Sequence, residues 1–137
     1  MRTPSQTVGP YYAIGLCRRA DNELDPDGIE LRGTLYDGQG EPISDGMVEV
    51  WDARNRKWGR CGTAEEGGGF RFRVPRDAGH LEVTVFARGL LRHQLTRVYL
   101  DEQPPAGLES LVAEHEDGGL RFDIRMQGEN ATVFFAH

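Results

Sequence analysis

The sequence is poor in the residues that mark several large classes of protein. It has two cysteines in 137 residues, Cys17 and Cys61, which lie too far apart for a C-x-x-C metal or redox motif. No apolar run approaches the roughly 20 residues of a membrane-spanning helix, and the first residues lack the apolar stretch of a secretory signal. We therefore expect a soluble, cytoplasmic protein whose cysteines stay reduced.

Lysine is scarcer still, because Lys57 is the single lysine among 16 lysine and arginine residues. The 22 aspartate and glutamate residues outnumber these bases and give a net charge of -6. Since phosphate binding requires a basic surface, this balance argues against nucleic acid as the main partner. Arginine suits the planar recognition of carboxylates, but an arginine-rich composition is also common in GC-rich genomes, which is the more economical explanation.

No phosphate loop, nucleophile elbow, dinucleotide fingerprint or zinc-finger spacing is present either. The length and the 38% of hydrophobic residues suit one compact core but not two. We therefore predict a single domain over residues 1–137. Residues 1–28, which contain Pro4, Gly9, Pro10 and Gly15, are predicted to form an extended N-terminal arm and a connection.

Alternation of apolar and polar residues predicts strands, because the side chains of a half-buried strand alternate between two faces. Seven such stretches begin at Ile29, Met47, Phe70, Leu81, Leu95, Leu120 and Thr132. Apolar residues at helical spacing over 108–115 predict one short helix. The turn signals between the strands favour an all-β fold, an antiparallel β-sandwich of about seven to eight strands with Trp51 and Phe134 in its core.

The histidines offer the one chemical pattern that the residues themselves suggest. His80 and Glu82 lie two positions apart on a predicted strand and therefore share a face. Such a pair can give two ligands to iron or zinc, with His93 or a carboxylate as the third. The plainer interpretation, a polar face of an exposed strand, is favoured by the sequence alone. His115 is predicted at the edge of the short helix.

Several separated segments together resemble the intradiol ring-cleaving dioxygenases. They are T-P-S-Q-T-V-G-P-Y at 3–11, G-T-L-Y-D-G at 33–38, V-E-V-W-D-A at 48–53, V-F-A-R-G at 85–89 with L-T-R-V-Y-L at 95–100, and R-F-D-I-R-M-Q-G-E at 121–129 with T-V-F-F at 132–135. The match runs in order over nearly the whole chain. The later segments resemble, more narrowly, the α subunits of the protocatechuate 3,4-dioxygenases.

This resemblance implies a β-sandwich that works in a hetero-oligomer of α and β chains. The β chain holds a non-haem ferric iron with two tyrosines and two histidines, and the ring of protocatechuate opens between its hydroxyls to give 3-carboxymuconate. The α chain carries no metal. It shapes the substrate pocket at the α/β interface, where its N-terminal arm takes part.

The sequence departs from the iron-binding chains at the ligand positions. The His-x-His of those chains corresponds to His80-Leu81-Glu82, so only the first histidine is kept. The loops that carry the family's tyrosine ligands correspond to residues 54–68 and 75–79, and neither contains a tyrosine. We therefore predict neither a metal site nor a catalytic residue in this chain. Both loops also look shorter than in the family.

The resemblance also suggests which residues contact substrate and partner. Arg88 matches an α-chain arginine near the pocket, and its guanidinium is suited to pair with the substrate carboxylate. An ion pair at a strand end explains this arginine equally well. The arm residues predicted to approach the substrate are Thr7, Gly9 and Pro10. The residues predicted to pack in the subunit interface are Tyr11 and Tyr12.

Three hypotheses follow for the function of the chain. The first is an α-type subunit of a protocatechuate 3,4-dioxygenase, inactive alone and active beside a β chain. The second is a β-sandwich binding or assembly module without ring-cleaving activity, favoured by the short loops. The third, less favoured, is a small metalloenzyme that uses His80 and Glu82.

Overall fold

The computed structural model describes residues 19–64, 67–87, 93–126 and 132–135. Within these ranges the chain forms nine strands. They are β1 (Ile29–Tyr36), β2 (Met47–Asp52), β3 (Lys57–Gly62), β4 (Gly69–Val74), β5 (His80–Phe86), β6 (Gln94–Tyr99), β7 (Glu114–Glu116), β8 (Gly119–Arg121) and β9 (Ile124–Arg125). Two 3-10 turns, Arg19–Asn22 and Glu109–Leu111, accompany them. No helix in the described ranges is long and apolar enough to span a membrane.

The strands form two sheets, and the predicted all-β sandwich is confirmed. The first sheet has the order β4-β1-β8-β7, with β9 also paired to β1, and the second has the order β3-β2-β5-β6. Most neighbours are antiparallel, but β1 pairs in parallel with both β8 and β9. The apolar alternation seen in the sequence explains the packing, because alternate side chains of β1 and β5 point into one shared core. Its largest buried members include Leu31, Leu35, Phe72, Leu81 and Val85.

The predicted short helix is not formed as expected. Residues 108–115 contain only the single 3-10 turn Glu109–Leu111, and His115 lies in strand β7. After Leu111 the backbone becomes extended, since Ala113 donates a hydrogen bond to the carbonyl of Tyr99 and Val112 forms a bridge to the same residue. Pairing with the edge of β6 thus outweighs the weak helical spacing, as expected for so short a segment.

Three other expectations also need correction. The region 54–68, expected to be a loop, contains strand β3, which pairs along its length with β2. The last predicted strand, 132–135, is reduced to a single bridge between Phe135 and Leu95. Trp51, expected in the core, is 40% exposed, because its place in β2 points it away from the sandwich interior. Phe134 packs partly buried against the core, as expected.

Candidate functional site

The residues predicted to contact substrate or partner lie outside the described part of the chain. They are Thr7, Gly9, Pro10, Tyr11, Tyr12 and Arg88. The structure does describe the strand that leads to Arg88, since β5 ends at Phe86 and Ala87 follows it, buried. It also describes the face of the second sheet that carries His80 and Glu82, and this outer face is the candidate site.

His80 and Glu82 share the outer face of β5, as their spacing predicts, while Leu81 between them is buried in the core. His80 Nε2 lies 3.4 Å from Glu82 Oε2, and His80 Nδ1 lies 3.1 Å from Oε1 of Glu102. The two carboxylates therefore approach opposite nitrogens of one imidazole ring. A single metal ion coordinated by the ring and by both carboxylates does not fit this arrangement.

A positively charged side chain also occupies the position beside Glu82. Strand register places Arg97 of β6 directly opposite Glu82, and Arg97 Nε lies 3.0 Å from Glu82 Oε2. Arg97 Nη1 also donates to the hydroxyl of Tyr99 at 3.1 Å. The hydrogen bond with Tyr99 and the contact with Glu82 raise the pKa of the Arg97 guanidinium, against the opposing effect of burial. This cation gives Glu82 the charge partner that a metal would otherwise supply.

No group of three or more histidine, cysteine, aspartate or glutamate side chains in the described residues is arranged to hold a metal ion. We therefore expect the His80→Ala variant to bind added Zn²⁺ no more weakly than the parent chain. Isothermal titration of both proteins measures this difference. A stoichiometric site that is present in the parent and lost in the variant would instead support the metalloenzyme hypothesis.

Hydrogen bonds join the loop between β2 and β3 to the loop between β4 and β5. Asp52, fully buried at the end of β2, accepts hydrogen bonds from the backbone amides of Arg54 and Asn55 and from the Asn55 side chain. Asn55 Nδ2 also lies 3.1 Å from Oδ1 of Asp77, and Arg54 Nη1 donates to the Asp77 carbonyl at 2.8 Å. The loops matched to the family's tyrosine loops thus close tightly over one buried carboxylate.

Beside Glu82 the outer face contains a groove of about 250 Å³. Its lining residues come from three adjacent strands and are Glu49, Val50, Trp51, Trp58, Arg60, Glu82 and Thr84. Sequence reasoning missed Trp58 and Arg60, because it assigned β3 to a loop. The sequence does contain a pattern that indicates this strand, because the large side chains of Trp58 and Arg60 alternate with the small residues Gly59 and Cys61.

Two curated alpha chains of known dioxygenases are similar to this chain over nearly its whole length. The protocatechuate 3,4-dioxygenase alpha chain of Burkholderia cepacia is 34% identical over 190 aligned positions, which cover 98% of this chain and 96% of the relative. The chain belongs to the intradiol dioxygenase family. The alpha chain of Pseudomonas putida is 33% identical, covering 97% of this chain and 95% of the relative. No family model matches the sequence.

Solved structures of intradiol dioxygenases share the fold of this chain. The dioxygenase domain of a carbohydrate-binding fusion protein from Streptomyces sp. SirexAA-E superposes with a TM-score of 0.59 at 20% identity, covering 92% of this chain and 98% of the other. Hydroxyquinol 1,2-dioxygenase from Pseudomonas putida DLL-E4 gives 0.58 at 19% identity, covering 93% and 67%. At these identities the superpositions support the sandwich fold alone.

This intradiol chain is short compared with its relatives. The alignment with the Burkholderia chain has 190 positions, while the chain itself has 137 residues, so at least 53 aligned positions have no residue in this chain. Because the alignment covers nearly all of both proteins, the missing residues fall within the alignment rather than at its ends.

Proposed function

We propose that the chain is the α-type subunit of a protocatechuate 3,4-dioxygenase. It holds no iron itself and shapes the substrate pocket for a β-type partner chain. That partner would hold the ferric iron, which activates the catecholate for ring opening to 3-carboxymuconate. The observation that carries the proposal is the 34% and 33% identity to two alpha chains over nearly the whole length of each protein.

The arrangement on the outer face of the second sheet also supports an accessory role. His80 is held between Glu82 and Glu102, and Arg97 contacts the same Glu82 oxygen that faces the imidazole. Arg97 is therefore the cation that pairs with Glu82, and both nitrogens of the His80 ring already face carboxylates. The chemistry of iron is therefore better assigned to another chain than to His80 and Glu82.

Substrate recognition is proposed for Arg88, which directly follows the buried Phe86 and Ala87 at the end of β5. A guanidinium presents two parallel N–H donors to a carboxylate, which is the group that distinguishes protocatechuate from catechol. Thr7, Gly9 and Pro10 are proposed to approach the ring from the arm. Tyr11 and Tyr12 are proposed to anchor the arm in the interface.

The test is to co-express the chain with a β-type intradiol subunit from the same organism and to isolate the complex by a tag on the α-type chain. We expect no protocatechuate-dependent oxygen uptake by the chain alone, and uptake with about one iron per αβ pair in the complex. Ring cleavage by the isolated chain would contradict the proposal. Failure of the two chains to co-purify would also contradict it.

Within that complex, the Arg88→Ala variant is expected to raise the KM for protocatechuate roughly 10- to 100-fold, because a charge-assisted hydrogen bond contributes about 1.5–3 kcal/mol. Iron content should not change. The matched control is Arg32→Ala, which removes an arginine from β1 on the other sheet. An unchanged KM in the Arg88→Ala complex would assign Arg88 to an ion pair rather than to substrate.

The second candidate is a binding or assembly module without ring-cleaving activity. The observation that favours it is the loss of at least 53 aligned positions relative to the Burkholderia chain. On this alternative the chain purifies as a homo-oligomer of one size and never associates with an iron-bearing relative. Size-exclusion chromatography with light scattering of the co-expressed sample distinguishes the two functions.

A further inference from the structure

The groove on the outer face of the second sheet contains both tryptophans of the chain. Trp51 of β2 and Trp58 of β3 are paired directly across the two strands, and their exposed fractions are 40% and 51%. Most other large apolar side chains of the described residues are buried, and these two tryptophans are among only four in that part of the chain that are substantially exposed. Arg60 covers one face of the Trp58 ring, so a ligand ring would stack on Trp51 or on the other face of Trp58.

The polar residues around the indoles include both acceptors and donors. Glu82 offers carboxylate oxygens, which only accept, while Arg60, which is ion-paired with Glu49, offers N–H groups, which only donate. Both ion-pair contacts that the described residues make with Glu82 use Oε2, and Oε1 is the oxygen that could accept from a ligand. Thr84 adds a hydroxyl that can do either. A ligand that satisfies this rim must donate and accept hydrogen bonds at neighbouring positions.

Arg60 gives the second indication of a ligand. Its guanidinium stacks 4.6 Å from the centre of the Trp58 ring, and its Nη2 lies 3.3 Å from Glu49 Oε2. Its Nε is buried, yet no residue that the structure describes accepts a hydrogen bond from it. A buried N–H without an acceptor is costly, so an oxygen from a bound molecule would stabilise this arrangement.

We propose that this groove binds one pyranose ring of a neutral carbohydrate. The C–H groups on one side of a sugar ring carry partial positive charge and suit the negative face of an indole. Sugar hydroxyls both donate and accept, which matches the carboxylates, Arg60 and Thr84. The groove volume of about 250 Å³ is below the range of pockets for drug-sized ligands and suits a single ring. Arg60 is already paired with Glu49, and Arg97 with Glu82, so an anionic ligand such as an aromatic acid would have to compete with these carboxylates.

The sequence makes this proposal simple to test, because the only two tryptophans of the chain line the groove. Tryptophan emission of the purified chain therefore reports on this site alone. We titrate the chain with methyl glycosides of glucose, galactose and mannose, and separately with sodium benzoate. We expect a saturable blue shift with at least one glycoside, at a Kd of about 1 mM, and no saturable change with benzoate.

Two variants tie the response to the proposed contacts. Arg60→Met keeps an unbranched side chain against Trp58 but removes every N–H donor, and Thr84→Val removes the hydroxyl at nearly constant shape. Each should weaken glycoside binding roughly fivefold or more, as expected for the loss of about 1 kcal/mol. Arg32→Met on the first sheet is the matched control and should bind like the parent chain. Circular dichroism confirms that each variant is folded.

Four results would overturn the proposal. The first is the absence of a saturable change with any of the glycosides. The second is binding of benzoate in preference to every glycoside, which would assign the groove to an aromatic acid. The third is glycoside binding that both groove variants leave intact. If the emission instead changes only when a β-type subunit is added, the groove is a subunit contact and not a sugar site.

Discussion

Replacing Gly33 by alanine is expected to destabilise the folded state by about 3 kcal/mol or more. Gly33 lies in the middle of β1, where a Cβ atom would stand 1.8 Å from the carbonyl oxygen of Phe122 and 2.7 Å from Cζ of Phe70. Phe122 cannot move away freely, because its amide donates to the carbonyl of Arg32 at 2.9 Å. The methyl group must therefore push β1 away from the segment between β8 and β9.

Urea unfolding, followed by circular dichroism, measures this loss for Gly33→Ala. The control is Gly118→Ala in the β7–β8 turn, where a Cβ meets nothing within 4 Å but φ is +80°. Because the only cost in Gly118→Ala is the strain of an alanine in the left-handed backbone region, we expect the free energy of unfolding to fall by roughly 1 kcal/mol. Equal stabilities of the two variants would mean that the contact between β1 and Phe122 is looser than described.

The second large effect is expected at Asp52. Asp52→Ala removes a fully buried carboxylate that accepts three hydrogen bonds from Arg54 and Asn55. The donors would then be left without their acceptor beneath the two short loops. We expect a loss of about 3 kcal/mol in the free energy of unfolding, because three hydrogen bonds to one fully buried side chain are lost together.

Asp37 provides a matched control for Asp52. Its Oδ1 also accepts two backbone amides, those of Gln39 and Glu41, but these bonds lie at the surface. Asp37→Ala should therefore cost about 1 kcal/mol or less, since water can replace the lost acceptor. Asp52→Asn should fall between the two alanine variants. If Asp52→Ala lowers the free energy of unfolding no more than Asp37→Ala does, burial does not strengthen the hydrogen bonds of Asp52.

Local alternation of residues allowed much of the sandwich to be predicted. Strands β1, β2, β4, β5 and β6 follow clear period-two patterns, because one face of each strand packs in the core. The same reasoning failed where small residues took the inner positions. In β3 one of the inner positions is occupied by Gly59, where Leu24 packs so close that no larger residue fits. A strand of this kind carries almost no apolar signal.

The candidate site was only partly predictable for a related reason. The spacing of His80 and Glu82 places both on one face, which is a local property of a strand. The positions of Arg97 and Glu102 beside them depend on the register between β5 and β6 and on the connection after β6. Register is set by pairing between distant segments, so a single sequence gives no direct measure of it. Trp51 was expected in the core, but it lies on the outer face of β2. The residue type alone does not show which face of a strand a side chain occupies.

The parallel pairing of β1 with β8 and β9 has a consequence for synthesis of the chain. The second sheet lies entirely within residues 47–99, so all of its strands are available before β7, β8 and β9 leave the ribosome. Until then β1 has one unpaired edge, at which Leu31 and Leu35 later lie beside Leu120 and Ile124. An unpaired edge of this kind can recruit a strand from another chain. Molecules that end before residue 119 should therefore aggregate rather than accumulate as stable sandwiches.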